Sequence, residues 1–117
     1  MTPPLESDFS KDFRIRRSSD FERIFQKGKR LYTEHFTFIY TPNSLGYPRL
    51  GLVVGKKFGN SVGRNRTKRV LREVFRKNKP LFNSLDILIL AKGASPSLGY
   101  AEAEEEIKGA FTRGKIL

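Results

Sequence analysis

The sequence has no cysteine, no tryptophan and a single histidine, His35, among its 117 residues. Without cysteine, disulfides, zinc ribbons and thiol catalysis are excluded, and the composition fits a reducing compartment. No apolar run reaches the ~18 residues that a membrane span needs. The first residues also lack the basic start and apolar segment of a secretory signal. We therefore expect a cytoplasmic protein.

Acidic residues are scarce as well. The chain has 12 Asp and Glu against 23 Lys and Arg, which gives a formal net charge of +11. No cluster of carboxylates suggests a two-metal nuclease, and His35 has no plausible catalytic partner nearby in sequence. The sequence therefore predicts no self-contained catalytic site.

The positive charge is concentrated in one segment. Between Lys56 and Lys79 the chain carries ten basic residues and one acidic residue, Glu73. Such a concentration favours a polyanionic partner. Nucleic acid is the first candidate, because neutralising phosphates releases counterions, and an anionic membrane surface is the second. Charge alone does not separate RNA from DNA.

The N-terminal part predicts a tail followed by a short helix. Residues 1–12 are polar, include Pro3-Pro4, and are expected to be flexible, ahead of a single domain over 13–117. Ser19 and Glu22 have the spacing of a capping box, with Ser19 as the N-cap. The helix that follows should end at Gly28.

Alternating and apolar runs predict strands. The segment 32–40 alternates, with Phe36, Phe38 and Tyr40 on one face and Ile39 on the other. The segment 49–56 predicts a second strand, expected to be its hairpin partner. The run 86–91 predicts a buried strand, and 100–111 predicts a final helix. We therefore expect helices packed on one small sheet.

A basic helix over about 62–78 is the clearest predicted element. Its apolar residues form one stripe, while its cations and Asn65 occupy the opposite side. Asn60 or Ser61 can cap its N-terminus, where free N–H groups and the helix dipole favour a phosphate. The alternative is an ordinary solvated basic face. The lack of balancing acids on the outer face favours a nucleic-acid surface.

Aromatic residues give a second candidate surface. Rings exposed on a sheet can stack on unpaired bases. The alternative for each ring is core packing, and a small domain needs most of its aromatics inside. The set comprises Phe21, Phe25, Phe36, Phe38 and Tyr40.

The central block resembles one known family. Segment 49–60 (RLGLVVGKKFGN) is followed by 64–69 (RNRTKR), and both are accompanied by Ser19-Asp20-Phe21 and Asp86-Ile87. In these segments and over most of the chain the sequence resembles the bacterial ribonuclease P protein component. The family implies an α+β fold: a two-layer α/β sandwich ordered helix, three strands, helix, strand, helix. It further implies a left-handed crossover, as in the second domain of ribosomal protein S5, against the usual right-handed rule.

The resemblance also implies a function. The holoenzyme is an endoribonuclease that removes the 5′ leader of precursor tRNA, and its RNA subunit is the catalyst. The protein is expected to bind ribonuclease P RNA and precursor tRNA and to support binding of Mg²⁺, which the RNA mainly holds. No membrane or DNA partner and no catalytic side chain is expected.

Site residues are carried over position by position from the resemblance. Asn65 is also a candidate for contacting a hydrated metal ion. The strand position where some relatives place an aromatic carries Ile39 here. The RNA-binding set is Arg64, Asn65, Arg66, Lys68, Arg69, Arg72 and Arg76. The leader-cleft set is Phe21, Phe25, Phe38, Lys56 and Lys57.

Two other functions remain open at this point. A structural or ribosomal RNA-binding protein without a processing role would carry a similar basic helix. A duplex DNA binder would too, and would differ in binding DNA more tightly than RNA.

Overall fold

A mixed four-stranded sheet organises the chain, which we describe from a computed structural model. The structure describes residues 13–55, 61–92 and 98–113, with residues 61 and 113 described by their backbone alone. The predicted tail over 1–12 lies outside these residues. The elements are α1 (Ser18–Lys27), β1 (Lys29–Tyr32), β2 (Phe36–Pro42), β3 (Arg49–Val53), α2 (Ser61–Lys77), α3 (Lys79–Phe82), β4 (Leu85–Ala91) and α4 (Tyr100–Arg113).

The strand order is β1-β2-β4-β3. β4 is antiparallel to β2 and parallel to β3. The predicted hairpin between β2 and β3 is therefore wrong, because β4 lies between them. β4 is an apolar run whose residues are buried from Leu85 to Ile89, and a strand covered on both faces is stable in the middle of a sheet.

The segment 32–40, predicted as one strand, is a hairpin. β1 ends at Tyr32 and β2 begins at Phe36, and the N–H of Thr33 donates to the carbonyl of Phe36 at 2.9 Å. Tyr32 pairs with Thr37 and Leu31 with Phe38. The predicted alternation within β2 is confirmed, since Phe36 and Phe38 are buried in the main core.

The main core lies between one face of the sheet and the helices α2 and α4. Ile87 of β4 and Leu50 of β3 are buried on this face. α2 contributes the buried residues Leu71, Val74 and Phe75. The predicted inner face of the last helix is confirmed, because its four members are buried: Ala103, Ile107, Ala110 and Phe111.

α1 packs on the opposite face of the sheet. Ile24 of α1, Ile39 of β2 and Leu88 of β4 are fully buried together there. The predicted capping box is wrong: the N-cap is Arg17, whose side chain makes no capping hydrogen bond, so Ser19 lies within the first turn. The predicted end at Gly28 is confirmed, with the N–H of Gly28 donating to the carbonyl of Ile24 at 2.8 Å.

The α+β class and the predicted order of elements are confirmed, with the short α3 added. Pro80 is in the first turn of α3, where its missing N–H costs nothing. The connection from β3 through α2 to β4 joins parallel strands. The left-handed sense of this crossover stays an expectation from the resemblance.

Candidate nucleic-acid interface

α2 has two unlike sides, as predicted. Leu71, Val74 and Phe75 face the core, and Thr67 is buried beside them with its hydroxyl donating to the carbonyl of Gly63 at 3.1 Å. Because the helix repeats every 3.6 residues, the remaining positions point outward. Asn65 and the basic side chains of Arg66, Arg69 and Arg72 are exposed there, and those of Arg64, Lys68 and Arg76 are partly exposed.

One group of these residues borders a single depression on the outer side of α2. It consists of Asn65, Arg69, Arg72, Glu73 and Arg76. Arg76 hydrogen bonds to Glu73, and this contact lowers the pKa of the Glu73 carboxyl. Glu73 is therefore an anion at neutral pH, and it offsets one of the three guanidinium charges. Two excess positive charges remain, which suits a phosphate backbone.

A second group turns toward the sheet. Lys68 and Arg72 share a depression with Arg14, Arg16 and the ring of Phe21. The pKa of Arg72 is lowered, first by partial burial of its guanidinium group and then by the positive charge of Arg14. Cations this close repel one another, and an anion bound between them would relieve that repulsion. Arg72 thus borders both groups and joins them into one surface.

The N-terminal segment places Arg14 and Arg16 in this surface. Phe13 and Ile15 are buried, so the residues between and after them point outward. Ile15 is held by its N–H, which donates to the carbonyl of Leu50 at 3.0 Å. The sequence prediction missed both arginines, although the alternation of Phe13 to Arg16 is itself a strand signal.

α1 brings the predicted aromatic residues to the same face of the sheet. Phe21 is half-buried against Gly51, where an added Cβ would lie 2.8 Å from Cζ of its ring. Phe25 is 36% exposed, and Cζ of Arg30 lies 5.9 Å from the centre of its ring. Both rings are therefore placed where a ligand on this face reaches them.

The prediction that Phe38 lines the cleft is wrong. Phe38 is fully buried on the other face of the sheet, with its ring centre 5.3 Å from that of Phe111. Its alternation with Ile39 sends it to the main core. Ile39 occupies the cleft face, but it is fully buried beneath α1. Lys56 and Lys57 lie outside the described residues.

The comparisons with known proteins agree on one family. A family model described as Ribonuclease P matches residues 9–115. The chain belongs to the ribonuclease P protein family. The ribonuclease P protein component of Syntrophus aciditrophicus is 47% identical over 104 residues, covering 88% of this chain and 87% of that protein. Membership makes the chain the protein subunit of ribonuclease P, whose partner is the ribonuclease P RNA.

Solved structures of the ribonuclease P protein support the fold. The protein from Staphylococcus aureus is 30% identical with a TM-score of 0.81, covering 89% of this chain and 96% of that one. The protein from Thermotoga maritima is 33% identical with a TM-score of 0.78, covering 86% and 96%. Within residues 13–55, 61–92 and 98–113, no helix is long and apolar enough to cross a membrane.

A buried carboxylate anchors α1 in this ribonuclease P protein. Asp86 of β4 has no exposed side-chain surface and accepts hydrogen bonds from Nη2 and Nε of Arg49 at 2.7 and 2.8 Å. It also accepts from Asn43 at 2.9 Å and from Arg23 of α1 at 3.2 Å. Burial by itself raises the pKa of Asp86, but these donors outweigh it and the net shift is downward. The ionised carboxylate therefore ties α1 to the sheet.

Proposed function

We propose that this subunit assists the endonucleolytic removal of the 5′ leader from precursor tRNA. It does so by binding the catalytic RNA with α2 and the leader on the α1 face of the sheet. The observation that carries the proposal is the cationic surface formed by α2 and the N-terminal segment. At Arg72 this surface borders the ring of Phe21. Membership of the ribonuclease P family also supports the proposal.

The outer side of α2 is the proposed contact with the RNA subunit. Arginine side chains hold phosphates through paired N–H donors, which fixes orientation as well as charge. The group around Arg69 and Arg72 offers three such forks along one helix face. The proposed RNA-binding set is the one given by the sequence, with Arg14 and Arg16 added from the structure.

The α1 face is the proposed leader cleft. A leader is single-stranded, so its bases are open for stacking on aromatic rings, at about 1–3 kcal/mol per base. Phe21 and Phe25 supply such rings, and Lys68 and Arg72 supply charge for the backbone beside Phe21. Lys56 and Lys57 remain in the proposal from the sequence.

Magnesium is proposed to be held mainly by the RNA. Within the part of the chain that the structure describes, no three His, Cys, Asp or Glu side chains group to hold a metal ion. Mg²⁺ keeps several of its waters when it binds RNA phosphates. The exposed amide of Asn65 is suited to contact such a hydrated ion. On this proposal the RNA performs the cleavage in the cytoplasm, and the protein positions the substrate.

Reconstitution tests the proposal. Ribonuclease P RNA is assayed at low Mg²⁺ on precursor tRNA, with and without the purified protein. We expect the protein to restore cleavage, and to raise affinity more for a precursor with a leader of ten nucleotides than for one with a single nucleotide. A protein that binds the RNA but restores no cleavage would point instead to a purely structural RNA-binding role. Tighter binding to duplex DNA than to this RNA would contradict both.

A further inference from the structure

We propose that Tyr32 on β1, flanked by Lys92, is a second base-stacking site for single-stranded RNA, at the opposite edge of the sheet from β3. The site rests on the proposed leader binding and extends it. It lies outside the set of residues that the sequence and the family resemblance assigned to the cleft.

The register of the sheet places Tyr32 on the α1 face. Tyr32 pairs with Thr37, Thr37 with Leu90, and Leu90 with Val53. Directly paired residues point to the same face, so these four side chains form one row across all four strands. None of them is fully buried, and Tyr32 is 67% exposed. The row is most open at Tyr32, because its other three side chains are partly buried and Leu90 packs against the cluster under α1.

The neighbouring row is closed by α1. It consists of Arg30, Ile39, Leu88 and Gly51. Ile39 and Leu88 are fully buried, and the ring of Phe21 packs over Gly51. α1 therefore covers one row and leaves the next open beside it. α1 thus forms a wall beside the row from Val53 to Tyr32, and we call this row together with the α1 wall the groove.

The β1 end of the groove carries aromatic rings paired with cations. Nζ of Lys92 lies 5.9 Å from the centre of the Tyr32 ring and donates to the carbonyl of Thr33 at 2.6 Å. At the end of α1, Nη2 of Arg30 donates to the carbonyl of Phe25 at 3.0 Å, beside the Phe25 ring. These backbone hydrogen bonds hold both cations next to their rings.

Single-stranded RNA is the occupant that this chemistry favours. It presents base faces for the rings and phosphates for the cations, whereas the bases of a duplex are already stacked and paired. The adjoining turn carries an acidic residue, Glu34. Its carboxylate lies near the imidazole of His35, with Oε2 3.8 Å from Nε2. An acidic peptide or an anionic lipid surface would match the cations, but neither presents the repeated flat bases between phosphates that suit a ring beside a cation.

The groove also orders the leader along the sheet. Val53 at the β3 end leads into the chain that enters α2, and Phe21 at this end adjoins Lys68 and Arg72. Because α2 is the proposed contact with the catalytic RNA, leader nucleotides near the cleavage point belong at the β3 end. Those farther upstream belong at Tyr32.

The test uses the reconstituted holoenzyme and precursor tRNAs with leaders of one and ten nucleotides. Tyr32→Ala should weaken binding of the ten-nucleotide substrate by about 5-fold or more, the factor expected for loss of one stacked base. It should leave the one-nucleotide substrate unchanged. Tyr32→Phe, which keeps the ring, should bind like the wild type. Leu45→Ala is the matched control, since Leu45 is an exposed apolar residue in the loop between β2 and β3.

The outcomes separate this inference from the proposed function. If the wild-type protein gains no affinity from a longer leader, the leader cleft itself is wrong. If the wild type gains and Tyr32→Ala gains equally, the cleft stands and the Tyr32 site is wrong. A change in sedimentation of the free protein, with no change in leader affinity, would instead make Tyr32 a contact between two copies of the chain and would also overturn the inference.

Discussion

Asp86 is a buried residue that holds α1, the wall of the proposed cleft, on the sheet. Its carboxylate is fully buried and joins β4 to Arg49 of β3, Asn43 and Arg23 of α1. Removing one partner of a buried charge pair leaves the other charge uncompensated. The geometry of α1, and with it the placement of Phe21, therefore depends in part on this buried side chain.

Asp86→Asn should lower the free energy of unfolding by about 3–5 kcal/mol, a large part of a total stability of about 5–15 kcal/mol. Urea denaturation at pH 7 measures it. Asp20→Asn is the control, because Asp20 contacts the same two arginines at 3.4 and 3.8 Å and is partly exposed. An equal loss in both variants would mean that burial of Asp86 contributes nothing.

The pKa of Asp86 is lowered from its ordinary 3.8, so the difference between wild type and Asp86→Asn should persist above that pH and shrink below it.

His35 makes a second titrating contact. Its Nδ1 lies 2.7 Å from Oε1 of Glu106 on α4, and its backbone N–H donates to the same carboxylate at 2.8 Å. The hydrogen bond that His35 donates to Glu106 is the main reason that the pKa of His35 is raised above 6.5. Burial raises the pKa of Glu106, but hydrogen bonds from Thr33 and His35 outweigh it and lower the pKa. The pair therefore links the β1–β2 turn to α4 most strongly when both groups are charged.

The stability that this pair supplies should fall as pH rises. A raised histidine pKa stabilises the fold fully below 6.5 and ceases to do so once pH passes the raised value. The Glu106 contribution is present above 4.5 and disappears as pH falls through its lowered pKa. Thermal unfolding between pH 5 and 9 should therefore show a decline for the wild type that is absent in His35→Gln. Parallel curves for the two proteins would contradict the assignment.

At the scale of elements, the end of α1 is set by a close approach of backbones. A Cβ on Gly28 would lie 2.6 Å from the carbonyl oxygen of Ile24 and 3.1 Å from that of Tyr40. Neither backbone atom can rotate away as a side chain does. Glycine at this position lets α1 end directly against β2, which fixes the wall of the groove.

Gly28→Ala should therefore destabilise the protein by about 1–3 kcal/mol, the usual cost of overpacking. It should also weaken leader binding by displacing α1. Gly55→Ala is the matched substitution, because nothing lies within 4 Å of an added Cβ there. Its stability should be unchanged or slightly raised, since alanine restricts the unfolded chain. Equal melting temperatures for the two variants would show that the contacts at Gly28 relax at no cost.

Local patterns predicted most elements but not their neighbours. The apolar stripe of α2 and the inner face of α4 follow from helical periodicity, and both are confirmed. The position of β4 between β2 and β3 is decided by contacts between segments that are distant in sequence. The periodicity of apolar residues within one segment carries no information on such contacts. The position of Tyr32 on the α1 face of the sheet was not predicted, for a similar reason. In a single strand over 32–40 it would share a face with Phe38, but the turn at Thr33–His35 places it on the opposite face.

At the scale of the molecule, charge is distributed unevenly. α2 carries seven Lys and Arg against one Glu, a net +6 of the chain's +11, and Arg14 and Arg16 lie beside it, while α4 carries Glu102, Glu104, Glu105 and Glu106. A polyanion approaching the protein is therefore attracted most strongly to the surface of α2. The field orients the subunit before any specific contact forms, and salt should weaken that attraction.

Arg69→Ala should weaken binding to ribonuclease P RNA and flatten its salt dependence. Each phosphate contact contributes about 0.7–0.9 to the slope of log K against log salt, so losing one contact should reduce the slope by about that amount. Arg64→Ala should do the same. Lys108→Ala is the control, because it removes the same charge from an exposed residue of α4. It should leave the slope unchanged. An equal reduction in all three variants would mean that RNA senses only the net charge, whereas an unchanged slope for both arginine variants would remove them from the interface.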